Sequence, residues 1–179
     1  MSIRRLIRIV LVVCSLMAML VVNEIVIPAS SFGSSTAIPP CRHLVIAAEG
    51  SEAALGTGGD IVILANPGAV CEVMGVPTVT SFNNKGIAVT ARNTHSQSML
   101  FSNPAVKAVV LKRSMVASFA ISWSNNPVDS TKCLNASWMQ VSLRGGIGRI
   151  SGSPAIQASP CGGILVVTAI QAGATPKAA

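Results

Sequence analysis

The stretch from Gly59 to Gly86 constrains the fold more than any other part of the chain, because it alternates short β-branched runs with strong turn residues. Ile61–Leu64 is an apolar run that ends at Asn66-Pro67-Gly68, where proline cannot donate to a β-ladder and glycine accepts a positive φ. Thr78–Phe82 is another run of strand-forming residues, and Asn83-Asn84-Lys85-Gly86 after it is typical of a hairpin turn. We therefore expect three or four strands here, joined by tight turns in an antiparallel sheet.

The remainder of the chain shows no sustained helical period and many short apolar runs. The strands expected with the first stretch include Ala69–Met74 within it and Ile87–Thr90 directly after it. Further strands are expected at His43–Ala48, Val106–Leu111, Met115–Ser124, Ser137–Arg144 and Ile164–Ile170. Glu49–Gly58 is predicted to be a loop with room for one helical turn, and Gly145–Cys161 a loop with at most a short strand around Arg149. About eight strands at short spacing predict an all-β fold, an immunoglobulin-like antiparallel β-sandwich.

Residues 1–31 are predicted to be a targeting segment and not part of this fold. Three arginines precede an apolar stretch from Ile9 to Val22, which is short for a membrane span, and small residues at positions 29–31 offer a cleavage site. We favour a cleaved signal peptide, and the alternative is an uncleaved membrane anchor from Leu6 to Ile27. Residues 32–40 are then a linker, residues 41–172 the β-sandwich domain and residues 173–179 a disordered tail.

Four cysteines lie beyond the targeting segment: Cys41, Cys71, Cys133 and Cys161. An even count behind a signal-like N-terminus indicates two disulfides and an exported, oxidising location. Four cysteines permit three connectivities, and sequence alone does not choose among them. We favour Cys41–Cys71 and Cys133–Cys161, because each pair closes a local loop. A structural zinc site is disfavoured, because such sites usually contain a short C-x₂₋₄-C pair.

These features together resemble a known family. The similarity comprises a cysteine at the domain start, the run from Gly59 to Val79 with the spacing Asn66, Cys71, Gly75 and Pro77, the hairpin at Asn84-Lys85-Gly86, Trp123, Cys133, and Cys161-Gly162-Gly163 before the last strand. In this pattern the chain resembles the actinobacterial exported domain of unknown function 4232, over about Cys41 to Ile170. The resemblance implies a four-cysteine immunoglobulin-like sandwich at the cell envelope. It departs from the family at Lys112-Arg113-Ser114, where a Pro-Gly turn is usual, and it implies no activity or site residue.

Residues able to support catalysis are present, but they form no recognisable motif. Asp60, Asp129, His43 and His95 could join a serine in a triad, yet no G-x-S-x-G elbow occurs, so a hydrolase is the function that we expect least. The glycine-rich run from Gly146 to Gly152 loosely resembles a nucleotide-binding loop, but a proline follows where a helix should receive the phosphates. We therefore expect a non-enzymatic protein without a cofactor.

His95 and Met99 are the weaker candidates for a metal site. Imidazole and thioether ligands suit Cu(I), and exported sandwiches can carry copper. The other methionines considered, Met74, Met115 and Met139, are more simply explained as core residues at strand positions. We therefore predict no metal centre, and we keep a copper or small-ligand carrier as the alternative function.

Charge and aromatic content narrow the range of partners. Residues 41–179 contain ten basic and five acidic side chains, a net charge of about +5 that would suit anionic lipid or wall polymers. Trp123 and Trp138 are expected in the core, and tyrosine is absent, which argues against a platform for sugars or nucleic acid. Membrane contact is expected through the N-terminal segment if it is uncleaved.

The leading functional hypothesis is an exported cell-envelope or secreted module that binds an envelope protein, lipid or wall component. Binding residues are usually found on loops held by a rigid sheet. Three predicted loops, Arg92–Pro104, Asn125–Lys132 and Gly145–Pro160, are therefore the expected binding regions.

Overall fold

A computed structural model of the chain describes residues 37–89, 92–127, 132–143, 146–149 and 158–176, with backbone alone for residues 51 and 146–149. The described residues contain twelve strands and no helix, so no helix there could cross a membrane. The strands are β1 (Val45–Ala54), β2 (Thr57–Ala65), β3 (Cys71–Val73), β4 (Thr78–Phe82), β5 (Ala88–Val89), β6 (Arg92–Thr94), β7 (Val109–Leu111), β8 (Val116–Ser124), β9 (Trp138–Leu143), β10 (Gly146–Arg149), β11 (Ile164–Val167) and β12 (Gln171–Ala172). The predicted targeting segment lies outside the described residues.

The strands form two main sheets and a short ribbon. The six-stranded sheet has the order β1-β2-β8-β11-β6, with β12 also paired to β8. The four-stranded sheet has the order β10-β9-β4-β5, and β3 pairs with β7. Apolar residues of both main sheets, such as Phe119 and Val141, belong to one buried cluster between them. The predicted all-β sandwich is therefore confirmed.

One strand pair departs from the antiparallel prediction. β6 forms the edge of the six-stranded sheet and pairs with β11 in parallel, although its residues were predicted to belong to a polar connection. The polar side chain of Asn93 explains the error. Its amide donates to Val79 O and accepts from Val79 N, both at 2.8 Å, and so joins this edge to β4 of the other sheet. A polar residue here acts as a link between the sheets.

The predicted loop Glu49–Gly58 is wrong, because these residues form the outer half of the β1–β2 hairpin. Small residues and a β-bulge between Ala48 and Gly50 conceal the strand pattern in the sequence. The hairpin turns at Leu55 and Gly56, whose φ angles are +49° and +78°. Positive φ at both central positions fits the twist of the strands, even though leucine is unusual there.

The stretch Gly59–Gly86 contains the predicted strands, but it does not form one sheet. β2 belongs to the six-stranded sheet, β3 pairs with β7, and β4 pairs with β5, which begins just after the stretch. The change of sheet occurs at buried Asn66. Its amide donates to Ala69 O and Leu111 O, and its oxygen accepts from Gly68 N, all within 2.8–2.9 Å. This turn is fixed by side-chain hydrogen bonds as well as by Pro67 and Gly68.

Disulfides join Cys41 to Cys71 and Cys133 to Cys161, the pairing favoured from the sequence. The first attaches the start of the domain to β3, where Cys41 N also donates to Glu72 O at 2.9 Å. The second lies just before β11, and its two cysteines also form an isolated β-bridge. Each crosslink constrains the unfolded chain and can contribute about 3–4 kcal/mol to stability.

The two tryptophans occupy different environments. Trp123 is 5% exposed in the core, and its Nε1 donates to Asn125 Oδ1 at 2.9 Å. Trp138 is half-buried and stacks on Phe82, with ring centroids 4.0 Å apart and planes 5° from parallel. Trp123 thus has the predicted core position, whereas Trp138 packs at the margin of the four-stranded sheet.

Candidate functional site

The face of the six-stranded sheet that points away from the core combines small and polar residues of β8 with aliphatic residues of β2 and β11. Cross-strand partners share a face, so Gly59 lies beside Ser122, and Ser122 lies beside Val166. Leu100 and Phe101 cover this outer face at Gly59. A Cβ atom added to Gly59 would lie 2.7 Å from the Phe101 ring and 2.8 Å from Leu100 Cδ1. The connection after β6 therefore passes across the sheet rather than away from it.

A cavity of about 410 Å³ lies on this outer face. It is bounded by β8, β11, the connection after β6 and the loop after β8. The lining residues are Thr57, Gln97, Ser98, Met99, Ser122, Trp123, Ser124, Asn126, Cys161, Gly162, Ile164 and Val166. We call it the outer pocket. Its volume is within the range of small-molecule sites, about 300–1,000 Å³.

Ser122 provides the main polar group within the outer pocket. Its side chain is only 2% exposed, yet it forms no hydrogen bond with any described residue. The two other serines of the lining differ from it. Ser98 Oγ accepts from Phe101 N at 2.8 Å and donates to Phe101 O at 3.2 Å. Ser124 Oγ donates to Asn126 O at 3.2 Å. Because Ser122 lines the cavity and uses its hydroxyl for no other described residue, the hydroxyl is free to form a hydrogen bond with a ligand there.

Two amide side chains lie at the exposed rim of the outer pocket. Gln97 and Asn126 form no side-chain hydrogen bond with other described residues. Asn126 packs directly against Gly56, where any Cβ atom would collide with its amide. Asn125 N also donates to Gly56 O at 2.7 Å, so the β1–β2 turn holds this part of the rim in place. The rim can therefore offer both donors and acceptors.

Within the described part of the chain, the lining of the outer pocket carries no charged side chain. Its apolar side chains include those of Met99, Ile164 and Val166. Met99 is 65% exposed, and its Sδ lies 3.9 Å from Thr57 Oγ1. The arrangement offers hydrogen bonds and apolar contact to a ligand, without an ion pair.

Asp60 is the one buried carboxyl among the described residues, and it lies on the opposite face of the sheet. It is 2% exposed and paired with Ile121 on the core side of β2. Burial raises its pKa to about 6, against smaller opposing effects of backbone hydrogen bonds from Gly50 and Ile61. Its Oδ1 has no hydrogen-bond partner. The sheet therefore separates Asp60 from the outer pocket.

The histidines singled out from the sequence do not line the outer pocket. His43 is exposed near the start of β1. His95 is exposed as well, and its Nδ1 lies 3.1 Å from Val167 O, whereas Met99 contacts Thr57. No group of three His, Cys, Asp or Glu residues in the described ranges could hold a metal ion. Asp129 lies outside the described residues.

Two of the three predicted binding loops contribute to the outer pocket. Gln97, Ser98 and Met99 belong to the first loop and Asn126 to the second, while Cys161 and Gly162 follow the third. Most of that third loop, residues 150–157, lies outside the described residues. Ser122 was missed as a site residue, because a strand serine on the polar side of an alternating pattern normally faces solvent. The apolar run Met99-Leu100-Phe101 was the available signal that something covers this side.

Comparison with known proteins gives no relative from which a role could be transferred. No protein-family model matches the chain. Searches of curated proteins and of solved structures also give no match.

Proposed function

We propose that this protein is an exported, non-enzymatic binding module that holds a small ligand in the outer pocket. The single observation that carries the proposal is the buried hydroxyl of Ser122, which faces a ligand-sized cavity and has no partner among the described residues. Natural pockets typically combine apolar walls with a few placed polar groups, and this combination is present here. The ligand would come from the cell envelope or its surroundings.

A binding role is supported over catalysis by the position of the titratable groups. Asp60 lies on the core face, and the exposed His95 ring lies against a backbone carbonyl outside the pocket lining. Acid–base or nucleophilic chemistry needs such a group within hydrogen-bond reach of the substrate. The described lining supplies hydroxyl, amide and thioether groups instead.

Export is supported by the two disulfides, which persist in oxidising compartments. The resemblance to the envelope family and the apolar stretch near the N-terminus agree with it. The intact mass of the protein from its own cells, with and without reduction and alkylation, tests this part of the proposal. We expect a chain that begins near Ser31 or Phe32 and has no free thiol; a full-length mass would indicate an anchor, and four free thiols would contradict export.

The binding role is tested by native mass spectrometry of the full chain produced in its own cells. Val166→Trp fills the outer pocket from β11, and Ile63→Trp is a matched control at a half-buried position outside the lining. We expect a non-covalently bound mass on the wild type and on Ile63→Trp, and none on Val166→Trp. A wild type without a bound mass, together with identical cross-linked envelope partners for all three proteins, would reject the proposal.

A further inference from the structure

We propose that the ligand of the outer pocket is an uncharged molecule that offers a hydrogen-bonding group to Ser122 and an apolar body to Met99, Ile164 and Val166. This inference rests on the proposed binding function and narrows its ligand class. It excludes free anions, free cations and strongly charged headgroups as the occupants of the pocket itself.

The described lining of the outer pocket differs in charge from the chain as a whole. The full chain has a net charge of +7, yet the described lining of the pocket contains no Lys, Arg, Asp or Glu. Described basic residues such as Arg92, Lys107 and Lys132 are exposed elsewhere on the surface. Moving an ion from water into an uncharged pocket is costly unless an opposite charge or several hydrogen bonds receive it. A neutral ligand avoids this cost.

The hydrogen-bonding side chains that the outer pocket offers to a ligand are neutral. The hydroxyl of Ser122 can donate one hydrogen bond and accept others, and Gln97 and Asn126 each carry an amide with the same dual capacity. Groups of this kind pair well with a hydroxyl, a carbonyl or an amide. They provide no bidentate cation for a carboxylate or phosphate. The spare capacity of the pocket therefore matches neutral polar groups.

The apolar side chains of the outer pocket lie beside Ser122 and extend toward the mouth. Val166 pairs directly with Ser122 across β8 and β11, so a hydrogen bond to the hydroxyl places the rest of the ligand against the valine. Ile164 is two residues earlier on the same face of β11. Met99, at the open side, has a flexible thioether side chain that can adapt to ligands of different shape. The polar group of the ligand is therefore deep, and its apolar body extends toward the mouth.

Four naphthalene probes of similar size test this ligand class: neutral 1-naphthol, apolar naphthalene, anionic 1-naphthoate and cationic 1-naphthylmethylammonium. Binding of 1-naphthol to the full-length protein is measured by its fluorescence, and the other three are measured as competitors. Competition counts only molecules that occupy the same pocket, so anions held loosely by the basic surface do not contribute. We expect naphthalene to displace 1-naphthol, and the two charged probes to be at least about tenfold weaker than 1-naphthol.

Two alanine variants test the role of Ser122. Ser122→Ala should weaken 1-naphthol about three- to tenfold and leave naphthalene unchanged, because only 1-naphthol uses the hydroxyl. Ser118→Ala is the matched control. Ser118 is also a buried serine without a partner, on the same strand and face, but it does not line the pocket. This variant should bind both probes like the wild type.

The possible failures are distinguishable. If a charged probe competes as well as naphthalene, the uncharged ligand class is wrong, while the pocket remains a binding site. If Ser122→Ala and Ser118→Ala affect 1-naphthol equally, the assigned role of Ser122 is wrong. If none of the four probes binds and no mass co-purifies with the wild type, the proposed function fails and this inference fails with it.

Discussion

The two faces of the six-stranded sheet are built by the same strands but do different things. On the inner face, Phe119 of β8 pairs with Val62 of β2, and both side chains are fully buried in the core cluster. On the outer face, Ser122 pairs with Gly59, beneath the cavity and the covering Phe101. β8 is thus buried on both sides, once by apolar packing and once by a polar connection that passes over it. Apolar packing on the inner face stabilises the fold. The outer face contains a cavity and polar side chains without described partners, which the packing of a core does not require.

Each face also has one residue whose chemistry differs from that of its neighbours. The inner face contains Asp60, a carboxyl with an unpaired oxygen among apolar residues. The outer face contains Phe101, a ring only 4% exposed above a surface of small residues. Natural chains break local rules mainly where function requires it, so substitutions that separate the two faces are informative.

The largest effect is expected from a deletion on the inner face. Phe119→Ala should lower the free energy of unfolding by about 3–5 kcal/mol, because it removes a fully buried ring and leaves a cavity. Ser118→Ala, one residue away on the outer face, should change stability by less than about 1 kcal/mol. Urea unfolding followed by circular dichroism gives both values. Similar losses at the two positions would contradict the division between the faces.

The next effect concerns Asp60 and pH. A carboxyl with a raised pKa in the folded protein holds its proton more tightly than the unfolded chain does, so protonation favours folding. The stabilisation is fully present below the ordinary pKa of 3.8 and is lost as the pH rises to about 6. Between these values the free energy of unfolding should fall by about 3 kcal/mol from this group alone.

Asp60→Asn tests this dependence, since an amide keeps the shape but carries no charge. The variant should lose the fall in stability between pH 4 and pH 6 and be more stable than the wild type at neutral pH. Glu52→Gln, at an exposed position of the neighbouring strand, should keep the fall. Unfolding midpoints measured across this pH range test the prediction. If the stability of Asp60→Asn still falls between pH 4 and pH 6, another group causes the pH dependence.

A smaller effect separates two adjacent glycines, one on each face. A Cβ atom at Gly58 would lie 2.7 Å from the Trp123 indole, and one at Gly59 would lie 2.7 Å from the Phe101 ring. Trp123 is held in the core, so Gly58→Ala should cost about 1–3 kcal/mol. Phe101 belongs to the connection after β6 and not to a strand of the sheet, so we expect Gly59→Ala to cost less than Gly58→Ala.

The two glycine variants should also differ in binding. Displacement of Phe101 by Gly59→Ala should deform the outer pocket and weaken 1-naphthol, whereas Gly58→Ala should leave binding nearly unchanged. Thermal unfolding and probe binding on the same samples provide both readings. If Gly59→Ala costs stability without affecting the probe, the connection above Gly59 is not a wall of the pocket.

The sequence predicted those parts of the fold that depend on local chemistry. The β-branched runs, the hairpin turn at Gly86 and the local cysteine pairing are such features. Strand partners were not predictable in the same way, because pairing depends on side chains distant in sequence. Asn66 and Asn93 look like turn or loop residues in isolation, but each hydrogen-bonds backbone groups on another strand and so directs the chain between sheets.

The outer pocket was only partly predictable for the same reason. The alternation of Met115–Ser124 places Ser118 and Ser122 on one side of a strand, and an alternating strand normally presents that side to water. Whether another segment covers the serines depends on where the connection after β6 crosses the sheet. Phe101 was the residue that could have indicated it, because a large ring in a polar connection usually packs against something.

The smallest effect on stability is expected at the two outer-face serines. Ser118 Oγ is buried without a partner, and Ser122 Oγ faces the cavity without a described partner, so removal of either should leave the ligand-free protein unchanged or make it more stable by up to about 1 kcal/mol. The two should differ once 1-naphthol is present, because bound ligand raises the unfolding temperature in proportion to its affinity. Ser118→Ala should show the wild-type increase and Ser122→Ala a smaller one. If loss of the Ser122 hydroxyl leaves stability unchanged but reduces the rise in unfolding temperature caused by 1-naphthol, the role of this hydroxyl is binding. If the two variants show equal rises, the outer face has no binding role at Ser122.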